Sequence, residues 1–309
     1  QLATWGKSET RDIDGMRALV RSDNGAFLGV ASDKYRPHQN SDLLGLMSSW
    51  ASDNGLAVTR VGQWDGGKRI WAVAASDIQS EVRVGDKFAL QMVIRGGHEP
   101  GVATTVKAVA MRLVCSNGAW VSDGAFSIRW THNAGLSRSR MASASASLAK
   151  WSGAFDRYMA DMAKLYSVPL PKLAARVFLA DVIQPELIED IARQLHIERR
   201  DDLRLGADIV TRMLDSDRTA RLVSGILTTD AGRLLRAVTQ ATSSQVGGSH
   251  TEGTLAHAYN GVTYYNSHLR GRDADAALES QLYGEGGRMA QAARAVGLEY
   301  VQALAPQVA

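Results

Sequence analysis

Ala125-Phe126-Ser127-Ile128-Arg129-Trp130-Thr131 is the last stretch of the chain with a two-residue rhythm. Phe126, Ile128 and Trp130 would lie on one face of an extended strand, and Ser127, Arg129 and Thr131 on the other. After Asn133 the rhythm changes. A run of small residues from Ala142 to Ser147 leads into Leu148, Trp151, Phe155, Tyr158, Met162 and Leu165, spaced as along one side of a helix. The junction decides the class: α+β, with an N-terminal antiparallel curved β-sheet and one packed helix over residues 1–135, and a C-terminal α-helical region over 136–309.

Working toward the N-terminus, turn signals divide the sheet. Met16 to Arg21 and Ala26 to Ala31 read as hairpin arms around Asp23-Asn24-Gly25. The polar, proline-marked segment Lys34-Tyr35-Arg36-Pro37-His38-Gln39-Asn40 then separates the hairpin from a helix. Ser41 is the expected N-cap, Leu43, Leu44, Met47 and Trp50 give helical spacing, and Asn54-Gly55 ends it. A second hairpin has arms near 56–64 and 69–75 around Asp65-Gly66-Gly67. Further strands are expected over 87–95 and 102–115. Toward the C-terminus, helices are expected over 137–166, 172–184, 186–198, 203–224, 230–242, 254–270 and 274–304, with Ser243 to Gly253 as a connector.

Hydrophobic residues make up 45% of the 309 and charged residues 22%, enough apolar material for a buried core. No apolar run is long enough to span a bilayer. The first residues show neither a basic nor an apolar targeting pattern, and Cys115 is the single cysteine, so a cytoplasmic protein without disulfides is expected. Net charge is +3 but unevenly spread: residues 1–150 hold 18 Lys/Arg against 13 Asp/Glu, and all seven tryptophans lie within the first 151 residues. Basic residues interspersed with aromatics suit a surface that holds a single nucleic-acid strand.

Catalytic signatures are missing. The seven histidines include no His-Glu-x-x-His, no Cys-x-x-Cys occurs, and only His250 and His257 fall close together, so no metal site is expected. No phosphate-binding glycine loop and no Gly-x-Ser-x-Gly elbow is present, and no cofactor is implied. Acidic pairs such as Asp201-Asp202 sit where helices start, where they serve the helix dipole. The candidate contacts are therefore basic and aromatic: Lys34, Tyr35 and Arg36 on the linker, Lys68 and Arg69 after the second turn, Arg112 and Arg129 on strands, and Arg138 and Arg140 beside Ser137 and Ser139. The cations would neutralise phosphates and Tyr35 would stack on a base.

Several of these residues lie in segments with a familiar order. Gly29-Val30 through Tyr35, Pro37, Gln39 and Asn40 resembles the "G-V-x-x-x-Y-x-P-x-Q-N" signature of the phage- and plasmid-borne family called domain of unknown function 932. Gly67-Lys68-Arg69-Ile70-Trp71-Ala72, Val109 to Asn117, Ala258-Tyr259-Asn260-Gly261-Val262-Thr263, and Leu282-Tyr283-Gly284 with Gly287-Arg288 resemble its later elements. His38 and Gly118 depart from the pattern. The family's setting implies work on mobile DNA in a bacterial host. By architecture alone, the order of hairpin, helix and sheet is similar to the Rad-fifty-two-like single-strand annealing proteins, which implies a homo-oligomeric ring or filament on single-stranded DNA. The alternatives are a non-enzymatic interaction or assembly factor and an unrecognised hydrolase or nuclease.

Overall fold

Tight turns set the strands of the sheet-rich part. The computed structural model describes residues 2–4, 7–9, 14–99, 101–115, 117–120, 128–130, 148–194, 230–271 and 273–304. Strands β1 (Leu2–Thr4) and β2 (Lys7–Glu9) pair antiparallel, as do β3 (Met16–Val20) and β4 (Phe27–Ser32). The β3–β4 turn closes through Arg21 and Ala26, whose backbones bond at 2.9 Å, with Gly25 in the left-handed region. The main sheet contains β5 (Ala57–Trp64), β6 (Arg69–Arg83), β7 (Asp86–Gly97), β8 (Thr104–Arg112), β9 (Asn117–Trp120) and β10 (Ile128–Trp130). Its order is β10-β8-β7-β6-β5, with β9 also on β8, and both β9 and β10 pair antiparallel with β8.

The chain separates into two compact units, and β6, β7 and β8 each contribute to both. The first comprises residues 1–74, 93–106 and 127–146; the second comprises 75–92, 107–126 and 147–309. In the first unit, helix α1 (Asn40–Asp53) turns Leu43, Met47, Trp50 and Ala51 to the interior. Their spacing is one helical face, and burying a side chain of the size of Leu43 or Met47 contributes about 1.5–3 kcal/mol.

The second unit is mostly helical: α2 (Leu148–Ser167), α3 (Lys172–Ile183), α4 (Pro185–Gln194), α5 (Asp230–Ser244), α6 (Leu255–Tyr264), α7 (Ala274–Tyr283) and α8 (Glu285–Leu304). On α2 the row Trp151, Phe155, Tyr158, Met162 and Leu165 is buried, as its spacing requires. Tyr158 meets Phe88 of β7 edge-on at 6.2 Å, and Phe178 of α3 meets Tyr300 of α8 at 5.4 Å.

The α+β class and the C-terminal helical region stand, with differences in detail. Strand β6 runs to Arg83, well beyond the arm expected to end at 75, and joins β7 through Val84-Gly85. Residues 76–83 are polar at most outward positions, which hides the strand from a hydrophobicity reading. The helix expected over 274–304 is two, broken at Gly284, whose extended backbone (ψ −155°) no helix continues. The helix expected over 254–270 ends in a π turn, Tyr265–Leu269. The helix expected over 203–224, and the starts of those expected from 137 and the last strand from 125, lie outside the described residues. No helix among the described residues is long and apolar enough to cross a membrane.

Candidate nucleic-acid interface

Four segments of the first unit meet around the β3–β4 ribbon: the ribbon itself, the segment 33–40, the turn 65–69 and residues 97–99. The register pairs Met16 with Ser32, Ala18 with Val30 and Val20 with Phe27, and a bulge skips Leu28. Because side chains alternate across a strand, these six positions share one face, and all six are exposed. Phe27 is 53% exposed and Val20 56%. On the opposite side Leu28 and Gly29 are buried, and Leu19 and Ala31 partly so.

Gly29 is there because nothing larger fits: a Cβ at this position would stand 2.8 Å from the backbone oxygen of His98. His98 in turn donates its backbone N–H to Lys68 O at 2.7 Å, and its Nε2 donates to Asn40 Oδ1 at 3.0 Å. Asn40 Nδ2 reaches Gly67 O at 3.3 Å. Asn40 and Gly29, two members of the sequence signature, thus hold the turn against the ribbon through His98.

The turn is strained. Asp65, Gly66 and Gly67 all have positive φ (50°, 67° and 93°), a conformation that favours glycine and tolerates aspartate. Arg21 Nη1 donates to Gly66 O at 2.8 Å and ties the turn to the ribbon. Arg21 also forks onto Asp23, with Nε on Oδ1 at 2.8 Å and Nη2 on Oδ2 at 2.5 Å. Hydrogen bonding from Arg21 holds the Asp23 carboxyl below its usual range. Fastened in this way, the turn sets Lys68 Nζ over the Phe27 ring at 5.9 Å. Its neighbour Arg69 is occupied otherwise, pairing with Asp65 and, through Nε, with Glu99 at 2.5 Å.

Of the residues expected at the site, Lys34, Tyr35, Arg36, Lys68 and Arg69 belong to these meeting segments. Lys34 and Arg36 are exposed. Tyr35 is half-buried with its hydroxyl enclosed, and burial pushes that hydroxyl up to about 12. Its hydroxyl end points inward, so the open ring of this surface is Phe27, a residue without charge to mark it. Simple alternation would set Phe27 on the buried face with Gly29; the bulge at Leu28 turns it outward. Arg129 is exposed on β10, opposite Thr105 of β8. Arg138 and Arg140 lie outside the described residues.

Arg112 is a correction. It belongs to the second unit, is 1% exposed, and gives Nε and Nη2 to the two oxygens of Asp86, each at 2.7 Å. Nη2 also reaches Gly247 O at 3.0 Å, Nη1 reaches Cys115 Sγ at 3.5 Å, and Tyr166 donates its hydroxyl to Asp86. Four of its five N–H donors are taken inside the unit and the group is shut off from solvent, so it presents no open surface to a phosphate. The partner carboxylate, Asp86, lies 26 residues away, beyond the reach of any local pattern.

Among the described residues, no group of three His, Cys, Asp or Glu side chains is placed to hold a metal ion. The sequence matches a family model described as a domain of unknown function (DUF932) over residues 27–297, a span that includes the signature segment, the turn and most of the helical unit. No curated protein and no solved structure matches the chain.

Proposed function

The chain belongs to the family described as a domain of unknown function (DUF932), and we propose that it binds single-stranded nucleic acid along the exposed face of its β3–β4 ribbon. The observation that carries this reading is Phe27, an open aromatic ring with the Lys68 ammonium beside it, on a face continued by Met16, Val20 and Val30. A ring that stacks on a base beside a cation that meets the backbone is the repeating unit of single-strand binding. Lys34 and Arg36 add exposed charge on the neighbouring segment. Single-stranded DNA of a mobile element in a bacterial cytoplasm is the substrate we assign, with annealing or protection as the task.

Fluorescence anisotropy with a labelled oligothymidine and with a duplex, across a salt series without magnesium, tests it. Binding should prefer the single strand and weaken steeply with salt. Lys34→Ala/Arg36→Ala should flatten the log–log slope by about 1.4, since each single-strand phosphate contact contributes about 0.7. No binding at low salt ends this reading.

The same apolar face favours a second one. Met16, Val20 and Val30 offer no charge, and a contiguous exposed apolar face is a protein contact in many molecules. On this reading the chain is an interaction or assembly module, or the face joins copies into the oligomer that strand annealing would use. Light scattering of Val20→Lys against the native chain separates these: dissociation of an oligomer supports a subunit contact, and an unchanged mass leaves the face to the nucleic acid.

A further inference from the structure

The ribbon has a face, already described, and an edge. Among the described residues β3 pairs with no strand but β4. What its other edge offers follows from the ladder. Asp33 donates its backbone N–H to Gly15 O at 2.9 Å, so these two residues form a hydrogen-bonded pair. Bonded and non-bonded pairs alternate along an antiparallel ladder. Arg17 and Leu19 therefore turn their N–H and C=O groups toward β4, whereas Met16 and Ala18 turn theirs away. Beyond the bulge Arg21 donates to Ala26 O at 2.9 Å, which leaves Val20 turned outward as well. Successive outward residues, each with a donor and an acceptor, are a template for another strand.

The strand carries none of the usual guards of an edge. Met16–Val20 contains no proline and no lysine, and the bulge falls on β4. Its one charge, Arg17, projects from the face opposite Met16, Ala18 and Val20. A two-stranded ribbon is marginal alone, and further strands sharing an apolar face stabilise it.

The strand that fits this edge is β3 itself. Set antiparallel about a two-fold axis at Ala18, Met16 meets Val20 of the second copy and Ala18 meets its own counterpart, each pair exchanging both of its bonds. Charge selects this register. An axis at Arg17 would set that guanidinium against its own copy, and one at Leu19 would set Arg17 against Arg21, each a like-charge pair. The axis at Ala18 sets Arg17 opposite Leu19 and Arg21 opposite Gly15.

We propose that a second copy of this chain adds its β3 to this edge and completes a four-stranded face. Residues opposite each other in such a pair share a side, so the exposed faces of both ribbons become one. The two Phe27 rings lie at its opposite corners, roughly 20 Å apart across three strand spacings and four residues of rise. That one nucleic-acid strand spans both rings rests on the ribbon reading above; the pairing does not.

Cross-linking of the full chain without nucleic acid tests the pairing. The probe is a short bifunctional methanethiosulfonate, and the native chain, whose Cys115 is buried, is the blank. In the paired edge the two Ala18 Cα atoms stand about 5.5 Å apart, whereas Met16 lies roughly 14 Å from its own copy. Ala18→Cys should therefore give a covalent dimer. Met16→Cys alone and Val20→Cys alone should give little, and an equal mixture of the two should give a dimer again. Adding Ala18→Pro to both members of the mixture removes an outward N–H while leaving the bonds to β4, with folding verified by circular dichroism. It should reduce the dimer about tenfold. No dimer from Ala18→Cys, as much from Met16→Cys alone, or a mixture indifferent to Ala18→Pro overturns the proposal. With no oligonucleotide present, failure here leaves single-strand binding by the ribbon standing, and failure of that binding leaves this pairing standing.

Discussion

Two arginine clusters, one in each unit, put the same chemistry to opposite use. In the second unit Arg112 and Asp86 are 1% and 0% exposed and satisfy each other through two parallel bonds of 2.7 Å. In the first unit Arg69 sits between Asp65 and Glu99, 20% exposed, on a turn that displays Lys68 beside it. Both arginines occupy strands in the sequence, and composition counts them alike. What separates them is the carboxylate each one faces and whether water reaches it.

The comparison breaks most sharply at Asp86. Asp86→Ala leaves the Arg112 guanidinium buried without its counter-charge and should cost about 3–5 kcal/mol, measured by urea denaturation followed by circular dichroism. A loss below about 1 kcal/mol would mean that Arg112 reaches solvent, and the burial of the cluster would be wrong. Replacing both partners, as Asp86→Leu/Arg112→Met, should recover much of the loss, since removing a buried pair together is far less costly than orphaning one member.

The tyrosines carry the same contrast to high pH. Burial raises the hydroxyls of Tyr158, Tyr166 and Tyr259 in the second unit above their usual value, and in Tyr166 the bond to Asp86 adds to it. A folded value above the unfolded one means that the stability is complete below the ordinary tyrosine range of about 10 and is lost as pH climbs through the folded value. Absorbance titration should therefore show these three ionising only together with loss of the helical signal. Tyr35, raised by burial to about 12, should also ionise above the ordinary range. Ionisation of all eight tyrosines near their ordinary value in a folded chain would contradict this burial.

Some of this was legible from residues alone. Asn24-Gly25 and Asp65-Gly66-Gly67 mark turns because few other residues accept positive φ, and the helical row from Trp151 to Leu165 follows from its spacing. The interface was only partly legible. Lys34, Arg36 and Lys68 declare themselves by charge, whereas Phe27 becomes a surface ring only through the bulge at Leu28, which sequence spacing does not reveal. Arg112 misled because its meaning depends on Asp86 of another strand, and such pairing is a product of the fold.

At the ribbon, Phe27→Ala should weaken single-strand binding by about 1–3 kcal/mol, the worth of one base stacked on a ring, with the salt slope unchanged. Lys68→Ala should do the reverse, flattening the slope by about 0.7 at a smaller cost in affinity at physiological salt. Equal slopes in the native chain and Lys68→Ala would remove Lys68 from the backbone contact and leave Phe27 as a packing residue.

Arg69 gives the smallest effect and the finest distinction. As a partly exposed pair on a surface turn, it should contribute at most about 1 kcal/mol to stability, so Arg69→Ala remains folded. Its effect on binding has two possible origins. Either the guanidinium meets a phosphate itself, or it neutralises Asp65 and Glu99 so that they do not repel one. Arg69→Ala weakens binding in both cases. Adding Glu99→Ala tells them apart: if neutralisation is the role, the double variant regains affinity, because a repelling carboxylate leaves with the arginine. The geometry favours that outcome, since both carboxylates already claim the guanidinium, whereas the Lys68 ammonium lies over the Phe27 ring. A double variant as weak as Arg69→Ala would instead place Arg69 on the phosphate and make the turn a two-cation contact.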